Sequence, residues 1–317
     1  MATNVKYTAA LPIMAIIKTP LSRFDDLSEY AFEAHYCDVS NQQDSQELLV
    51  HYIDEGSDKA PIILMLHGEP TWSYLYRNMV NHAVEKGFRV IAPDLIGFGK
   101  SDKFDSKAPY TYANFIAWMT RFTHKLDLQN INLICQDWGG LIGLRMLAAE
   151  PERYANLVAA NTFLPTGEEP TSEAFLNWQS YSQSVDVFPV SSVVQGGTKR
   201  QLTEAERYAY DAPFPTENYK WAVRQFPTLV PTSTEDPESQ NNVDAWKTLS
   251  ALSLPVLTIF GDSDPITKGA EKAIQRKMKG SEGQQHLILK DVAHFIQEDA
   301  AQSLIEHAVD FFLENQK

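Results

Sequence analysis

Ile131-Asn-Leu-Ile-Cys-Gln-Asp137-Trp-Gly-Gly140, continued by Leu141-Ile-Gly-Leu-Arg145, passes from a buried-strand run through a tight turn into a helix. A turn that lifts one reactive side chain between a strand and a helix needs small residues two before and two after its apex, because the strained chain packs the strand against the helix. Cys135 and Gly139 meet that need around Asp137. The plainer alternative is that Asp137 only caps the helix that follows it, as aspartate often does. No Gly-x-Ser-x-Gly occurs anywhere in the chain, so a nucleophile at this turn would be a carboxylate.

Runs rich in Val, Ile and Leu recur on either side: Ile62 to Leu66, Val90 to Ala92, Leu157 to Ala160, Val256 to Phe260 and His286 to Leu289. Helically spaced stretches such as Tyr112 to Leu126 and Leu141 to Ala149 lie between them. Unbroken apolar strands alternating with helices predict a mostly parallel central sheet with helices on both faces. Leu48 to Ile53, close behind Phe32 to Val39, predicts an antiparallel start. The rhythm lapses between about Phe163 and Pro231, where Ser172 to Val185 and Thr203 to Tyr210 are amphipathic and rich in aromatic residues, and it resumes at Leu254. These patterns predict a core of residues 1–163 and 232–317 and a helical cap domain of residues 164–231. The cap would sit over the carboxyl ends of the strands, where open parallel sheets bind ligands.

Two later segments change the odds for Asp137. Leu254-Pro-Val-Leu-Thr-Ile-Phe-Gly-Asp-Ser-Asp264-Pro265 is a strand ending in a carboxylate turn, and Asp291-Val-Ala-His294-Phe295 follows the last strand run. Each has an ordinary explanation by itself, but the order nucleophile, acid, histidine is that of the α/β-hydrolase fold. Leu64-Met-Leu-His67-Gly68-Glu69-Pro70-Thr71-Trp72 leaves an early strand, and in that fold this loop supplies one backbone N–H of an oxyanion hole. The other N–H comes from the residue after the nucleophile, Trp138. His67 reads as a turn-stabilising residue. Gly97-Phe-Gly99-Lys100-Ser101 imitates the end of a phosphate loop, but Asp94 stands where the earlier glycine is needed. The acidic stretch Glu235 to Glu238 reads as a solvated face.

The chain has 317 residues, 44% hydrophobic and 21% charged, with a formal net charge of −14. Such a composition buries a large core and disfavours the clustered Lys/Arg surface that nucleic acids need. Cys37 and Cys135 both fall in strand-like runs, so no disulfide framework is expected. Ala9 to Ile17, preceded by Lys6, imitates a short signal core, but Pro12 interrupts it and it is too short to span a bilayer. A soluble cytoplasmic protein without a membrane or nucleic-acid partner is expected, with secretion as the alternative. Met14 is a candidate natural start.

His67-Gly-Glu-Pro-Thr-Trp-Ser-Tyr-Leu-Tyr-Arg77, Pro93-Asp-Leu-Ile-Gly-Phe-Gly-Lys-Ser-Asp102, Gln136-Asp-Trp-Gly-Gly140 and Ala293-His-Phe295 resemble the haloalkane dehalogenases. The likeness extends from about Ile17 to the C-terminus. It is greatest to the first subfamily, in which Glu follows the His-Gly pair and the acid follows the seventh strand. The resemblance implies that Asp137 is the nucleophile, Asp264 the acid and His294 the base. It also implies that Trp138 and a cap tryptophan bind halide. Phe175-Leu-Asn-Trp178 matches the cap pattern, with Trp221 as a rival to Trp178, and Ala212-Pro-Phe214-Pro215 resembles the apolar wall of the substrate pocket.

The chemistry fits those residue types. An ionised carboxylate needs no base to displace a halide from carbon. A serine doing so would form an inert ether, whereas alkylated Asp137 is an ester that water can cleave. His294 would take the proton of that water while Asp264 orients the ring, and the N–H groups of Glu69 and Trp138 would hold the oxyanion. Indole N–H groups suit a halide because they donate and carry no acceptor lone pair. The expected substrate is a small apolar organohalide in a slot beneath Phe175, Phe214 and Pro215, with water as the second reactant and halide ion as a product. No metal or organic cofactor is required, and a monomer is favoured. The nearest rival is an epoxide hydrolase using cap tyrosines among Tyr181, Tyr208, Tyr210 and Tyr219; a more distant one is a receptor that has lost turnover.

Overall fold

A computed structural model describes residues 15–41 and 46–316 of the chain. Lys6, Pro12 and Met14, with most of the signal-like stretch, lie outside the described residues. An eight-stranded sheet holds β1 (His35–Asp38), β2 (Leu49–Glu55), β3 (Ile62–Leu66), β4 (Arg89–Pro93), β5 (Ile131–Gln136), β6 (Tyr154–Ala160), β7 (Val256–Gly261) and β8 (Leu287–Leu289). Their spatial order is β8-β7-β6-β5-β3-β4-β2-β1. The pairs β1/β2 and β2/β4 are antiparallel and all the others are parallel. The antiparallel start and the parallel remainder therefore follow the sequence expectation, and the seventh strand is the one that ends near Asp264.

Every residue of β5 and β7 is buried, which is why both strands read as unbroken apolar runs rather than as alternation. Helices α1 (Arg77–Glu85), α2 (Tyr112–Lys125), α3 (Trp138–Ala149), α8 (Ser239–Ala251), α9 (Ala270–Lys277) and α10 (Ile296–Glu314) flank the sheet. Thr111 caps α2 through a side-chain bond to Asn114 N, the usual role of threonine at such a boundary. Between β6 and α8 the chain forms α4 (Glu173–Ser184), α5 (Val190–Gly196), α6 (Glu204–Asp211) and α7 (Trp221–Leu229), and no strand among the described residues. Ser172 caps α4, and Thr203 with Glu206 forms a reciprocal capping box on α6, so both helix starts are local and readable.

Buried ion pairs anchor these helices to the core. The Arg77 side chain of α1 is fully buried, 2.6 Å from the Glu298 carboxylate of α10 and 2.7 Å from the Glu206 carboxylate of α6. Arg200 joins the same two glutamates, and the Tyr210 hydroxyl donates to Glu298. Removing one partner from such a network strands a buried charge. Nearby, Trp72 Nε1 donates to Ala209 O at 3.0 Å. The stretch Glu235 to Glu238 differs from expectation: Glu235 is exposed, but Glu238 is 3.0 Å from Arg145 of α3, which also donates to Asn242. The run is a docking contact for α8 rather than a wholly solvated face, a long-range pairing that local charge cannot reveal.

Close packing of β3, β5 and α3 leaves no space at the first glycine of α3. A Cβ on Gly139 would overlap Leu66 O of β3 and crowd His67 O. Gly139→Ala is therefore expected to destabilise the protein by about 2–3 kcal/mol. A urea midpoint unchanged from that of the parent would refute this reading of the packing.

Candidate active site

Asp137 leads from β5 into α3 with φ 51° and ψ −127°, a conformation that an L-residue adopts only when its surroundings impose it. Three contacts impose it here. Asp137 N donates to Asn161 O at 3.1 Å, Thr162 Oγ1 donates to Asp137 O at 2.7 Å, and Asp137 O also accepts from Gly140 N at 2.9 Å. A Cβ on Gly68 would collide with the Asp137 carboxyl, and one on Gly140 with Thr162 Oγ1. The side chain makes no helix-capping bond, so Asp137 is not the simple cap of the plainer reading.

The Asp137 carboxylate is divided between two partners. Oδ1 accepts from Glu69 N at 2.7 Å, and Oδ2 lies 3.5 Å from His294 Nε2. On the far side of the ring, His294 Nδ1 is 3.0 Å from Asp264 Oδ2. Asp264 is buried and is itself held by Ile266 N at 2.8 Å and by the Thr267 hydroxyl. The strand ends thus bring Asp137, Asp264 and His294 into one chain of contacts, although 127 and 30 residues separate neighbours in that set.

Electrostatics set these groups apart. Burial works against charge on His294, but the Asp264 and Asp137 carboxylates outweigh it and push the imidazole up to about 10. Burial also opposes charge on Asp264, yet the histidine and its hydrogen bonds pull that carboxyl below its usual range. Burial, reinforced by the Asp137 charge, drives the Glu69 carboxyl well above its usual range. His67 donates from Nδ1 to Gly68 O at 2.9 Å and accepts Leu95 N on Nε2 at 2.9 Å, so both its nitrogens are spent on the turn, as its sequence position suggested. Likewise the Asp94 carboxylate accepts Ser73 N and Lys100 N, which fills the mock phosphate loop with the protein's own anion.

Asp137, Glu69 and His294 open into a cavity of about 800 Å³. Its wall includes Trp138, Leu141, Phe163, Phe175, Trp178, Tyr181, Val193, Pro227 and Val230. Trp138 stacks on Phe226 with centroids 4.3 Å apart and planes 11° apart, which fixes the indole next to Asp137. Phe175 and Trp178 share one face of α4 because three residues separate them.

The family model described as alpha/beta hydrolase fold matches residues 61–301. A haloalkane dehalogenase of Psychrobacter cryohalolentis is 47% identical over 302 residues, 95% of this chain and 99% of that protein. One from Mycolicibacterium paratuberculosis is 43% identical, covering 94% and 98% of the two chains. Among solved structures, the tetrameric haloalkane dehalogenase of Paraglaciecola agarilytica superposes with a TM-score of 0.87 at 32% identity, covering 93% of this chain and 98% of that one. The chain belongs to the haloalkane dehalogenases.

Two residues expected at the dehalogenase pocket lie away from it. Phe214 and Pro215 are not among the residues lining the cavity. Phe214 is buried edge-on against Phe98, which stacks on Phe226, so two rings separate it from Trp138. Its segment is tied to the stretch before β1, where Thr19 Oγ1 donates to Pro213 O at 2.7 Å. Trp221, the rival to Trp178, is also absent from the lining; its indole N–H is buried elsewhere without a partner among the described residues. Of Tyr181, Tyr208, Tyr210 and Tyr219, only Tyr181 reaches the cavity, and Tyr210 is committed to Glu298.

Asn161 was missed in the sequence. It follows β6 directly, is fully buried with φ 37°, and ties three strand ends together. Its Nδ2 donates to Ala293 O at 2.7 Å and His294 O at 2.9 Å, and its Oδ1 accepts Gly261 N at 2.9 Å. A polar residue just past an apolar parallel strand was the available signal. Gln136 reinforces the same loop, with Nε2 3.2 Å from both His294 O and His294 Nε2. Asn161→Ala is expected to cost roughly 1–3 kcal/mol of stability and to lower kcat. Thermal unfolding and steady-state halide release check this, and parent-like values in both would contradict the role.

Proposed function

We propose that this dehalogenase cleaves carbon–halogen bonds of small haloalkanes through an alkyl ester on Asp137. The observation that carries the reading is one cavity holding a strained carboxylate, a carboxylate-oriented histidine and two indoles. Neither the Trp138 nor the Trp178 N–H has a hydrogen-bond partner among the described residues, whereas Trp72 and Trp246 donate to backbone carbonyls. Two free donors above apolar walls suit a departing halide.

In the first step a carboxylate oxygen of Asp137 attacks the halogen-bearing carbon. The carbon–oxygen bond forms as the carbon–halogen bond breaks, and the halide leaves toward Trp138 and Trp178 with the bonding pair. In the second step water adds to the ester carbonyl and His294 Nε2 takes its proton. The oxyanion is held by the N–H groups of Glu69 and Trp138, the first of which already donates to Asp137 Oδ1. Collapse breaks the carbonyl–alkoxy bond, the alcohol departs protonated, and one proton per turnover passes to solvent.

The steps are timed by charge. While Asp137 is anionic it helps to hold His294 as imidazolium, its pKa pushed up to about 10. Alkylation removes that negative charge and its hydrogen bond, so the imidazole pKa falls and the ring becomes a base when an ester is present for it to act on. Asp264 remains to fix the tautomer.

Residues 164–231 are the cap in this reading, and Phe175, Trp178, Tyr181, Val193, Pro227 and Val230 are among the residues it brings to the pocket. The substrate wall is assigned to Leu141, Phe163, Pro227 and Val230 in place of Phe214 and Pro215. All the reacting groups come from one chain, so a monomer suffices. No helix among the described residues is long and apolar enough to cross a membrane. Buried, unpaired Cys37 and Cys135 suit a cytoplasmic setting.

Trp178→Phe keeps the ring and removes the donor, so bromide affinity should fall roughly tenfold or more and alkylation should slow. Trp221→Phe serves as the control, with bromide affinity near that of the parent. Equal bromide titrations for both variants would reduce Trp178 to packing. His294→Gln should release about one halide per active site from excess 1-bromobutane and then stop. Intact-protein mass spectrometry should show one alkyl group, with peptide mapping placing it on Asp137. A folded variant with neither burst nor adduct would be incompatible with the two-step scheme.

A further inference from the structure

The loop that carries His294 rests on the inserted helical segment as well as on the sheet. Phe295 N donates to Gly197 O at 2.9 Å. A Cβ on Gly197 would stand 2.6 Å from two Phe295 ring carbons and 3.6 Å from His294 Cβ, so the contact is close throughout.

Asp299 makes the connection chemically specific. It lies in the first turn of α10, immediately before Ala300, where φ −149° and ψ 38° interrupt the helix. Its carboxylate gathers three backbone N–H groups from two parts of the chain. Ala293 N donates to Oδ2 at 2.9 Å; Lys199 N lies 2.8 and 2.9 Å from the two oxygens; Arg200 N donates to Oδ1 at 3.0 Å. No cationic side chain among the described residues forms an ion pair with Asp299, so its hydrogen bonds go to main chain. Arg200 extends the junction, with Nε donating to Glu298 O at 2.7 Å.

The other anchors of His294 act elsewhere. Asp264 holds ring Nδ1, while Asn161 and Gln136 hold the carbonyl of His294 and Asn161 also holds that of Ala293. Asp299 holds the N–H of Ala293, on the preceding side, and it does so with the same carboxylate that holds Lys199 and Arg200. The reach of Nε2 toward Asp137, now 3.5 Å, depends on all of these restraints.

We propose that Asp299 is a positioning residue for ester hydrolysis, coupling the placement of residues 197–200 to the reach of the His294 imidazole. This rests on the assignment of His294 to the second step. Alkylation uses Asp137 and the indoles, which Asp299 does not touch; Gly197 and Lys199 line the same cavity, so substrate affinity is read separately from the rates of the two chemical steps. A displacement of the base by about 1 Å is enough to slow a proton-transfer step by roughly 100-fold.

Rapid-quench kinetics with 1-bromobutane on Asp299→Ala, Asp299→Asn and Gly197→Ala, beside His294→Gln, test the proposal. Asp299→Ala should slow ester hydrolysis about tenfold or more, with alkylation within about threefold of the parent. Alkyl-enzyme then accumulates as a halide burst and as added mass. Asp299→Asn keeps one acceptor oxygen and should fall between Ala and parent. Gly197→Ala, which presses on Phe295, should give the same accumulation and serves if Asp299→Ala fails to fold. Equal slowing of both steps, or a lower unfolding temperature without accumulation, would show that Asp299 is structural and overturn the proposal. Should His294→Gln itself accumulate no adduct, the two-step assignment fails, and this proposal fails with it.

Discussion

The structure turns on a single strained residue. Asp137 occupies a positive-φ conformation costing of order 1–3 kcal/mol, and it persists because the turn around it cannot relax. Asn161 and Thr162 fix its main chain from the end of β6, while Gly68, Gly139 and Gly140 leave β3, β5 and α3 packed with no room for a side chain. Strain, packing and function are therefore one feature. The geometry that lifts the carboxylate into the cavity is the geometry that forbids larger residues around it.

Charge is organised around that point in layers. Nearest the cavity, Asp137, His294 and Asp264 alternate in sign along one line of contacts, and Glu69 stays close because burial beside Asp137 favours its neutral form. Farther out, Arg77 and Arg200 face Glu298 and Glu206 in a buried set that fastens α6 to α1 and α10. The two layers meet at the start of α10, where Glu298 and Asp299 are neighbours: one faces the arginines and the other faces the His294 loop. An acidic chain can thus keep a tightly defined charge pattern in these two layers, because Asp137, Asp264, Glu206, Glu298 and Asp299 are each answered by specific donors.

The parts of the site legible in the sequence are those whose chemistry forces a local pattern. Asp137 stood out because a strained turn needs small flanking residues. Asp264 and His294 stood out because each follows an apolar strand run, and parallel strands deliver such residues to one edge. Phe175 and Trp178 were legible as a pair on one helical face. Asn161 went unread because one asparagine after a strand has no local signature of the three partners it holds. Phe214 and Pro215 were misplaced because an apolar segment near a pocket looks the same whether it lines the cavity or backs the rings that do.

By itself the sequence determined the order of strands and helices, the interruption by a helical stretch, the strained turn at Asp137 and the residue types that the strand ends bring together. Periodicity, capping residues and steric demands at a turn act within a few positions and therefore leave a local record. Only the tertiary structure decided which cap tryptophan shares the cavity with Asp137, that Glu238 docks on Arg145, and that Asn161 and Asp299 both bond the histidine loop. Those outcomes depend on which side chains meet across long stretches of chain, 93 residues for Arg145 and Glu238, 133 for Asn161 and His294 and 100 for Lys199 and Asp299. Such meetings are set by how the sheet, the flanking helices and the inserted segment pack as a whole, and local sequence carries no record of them.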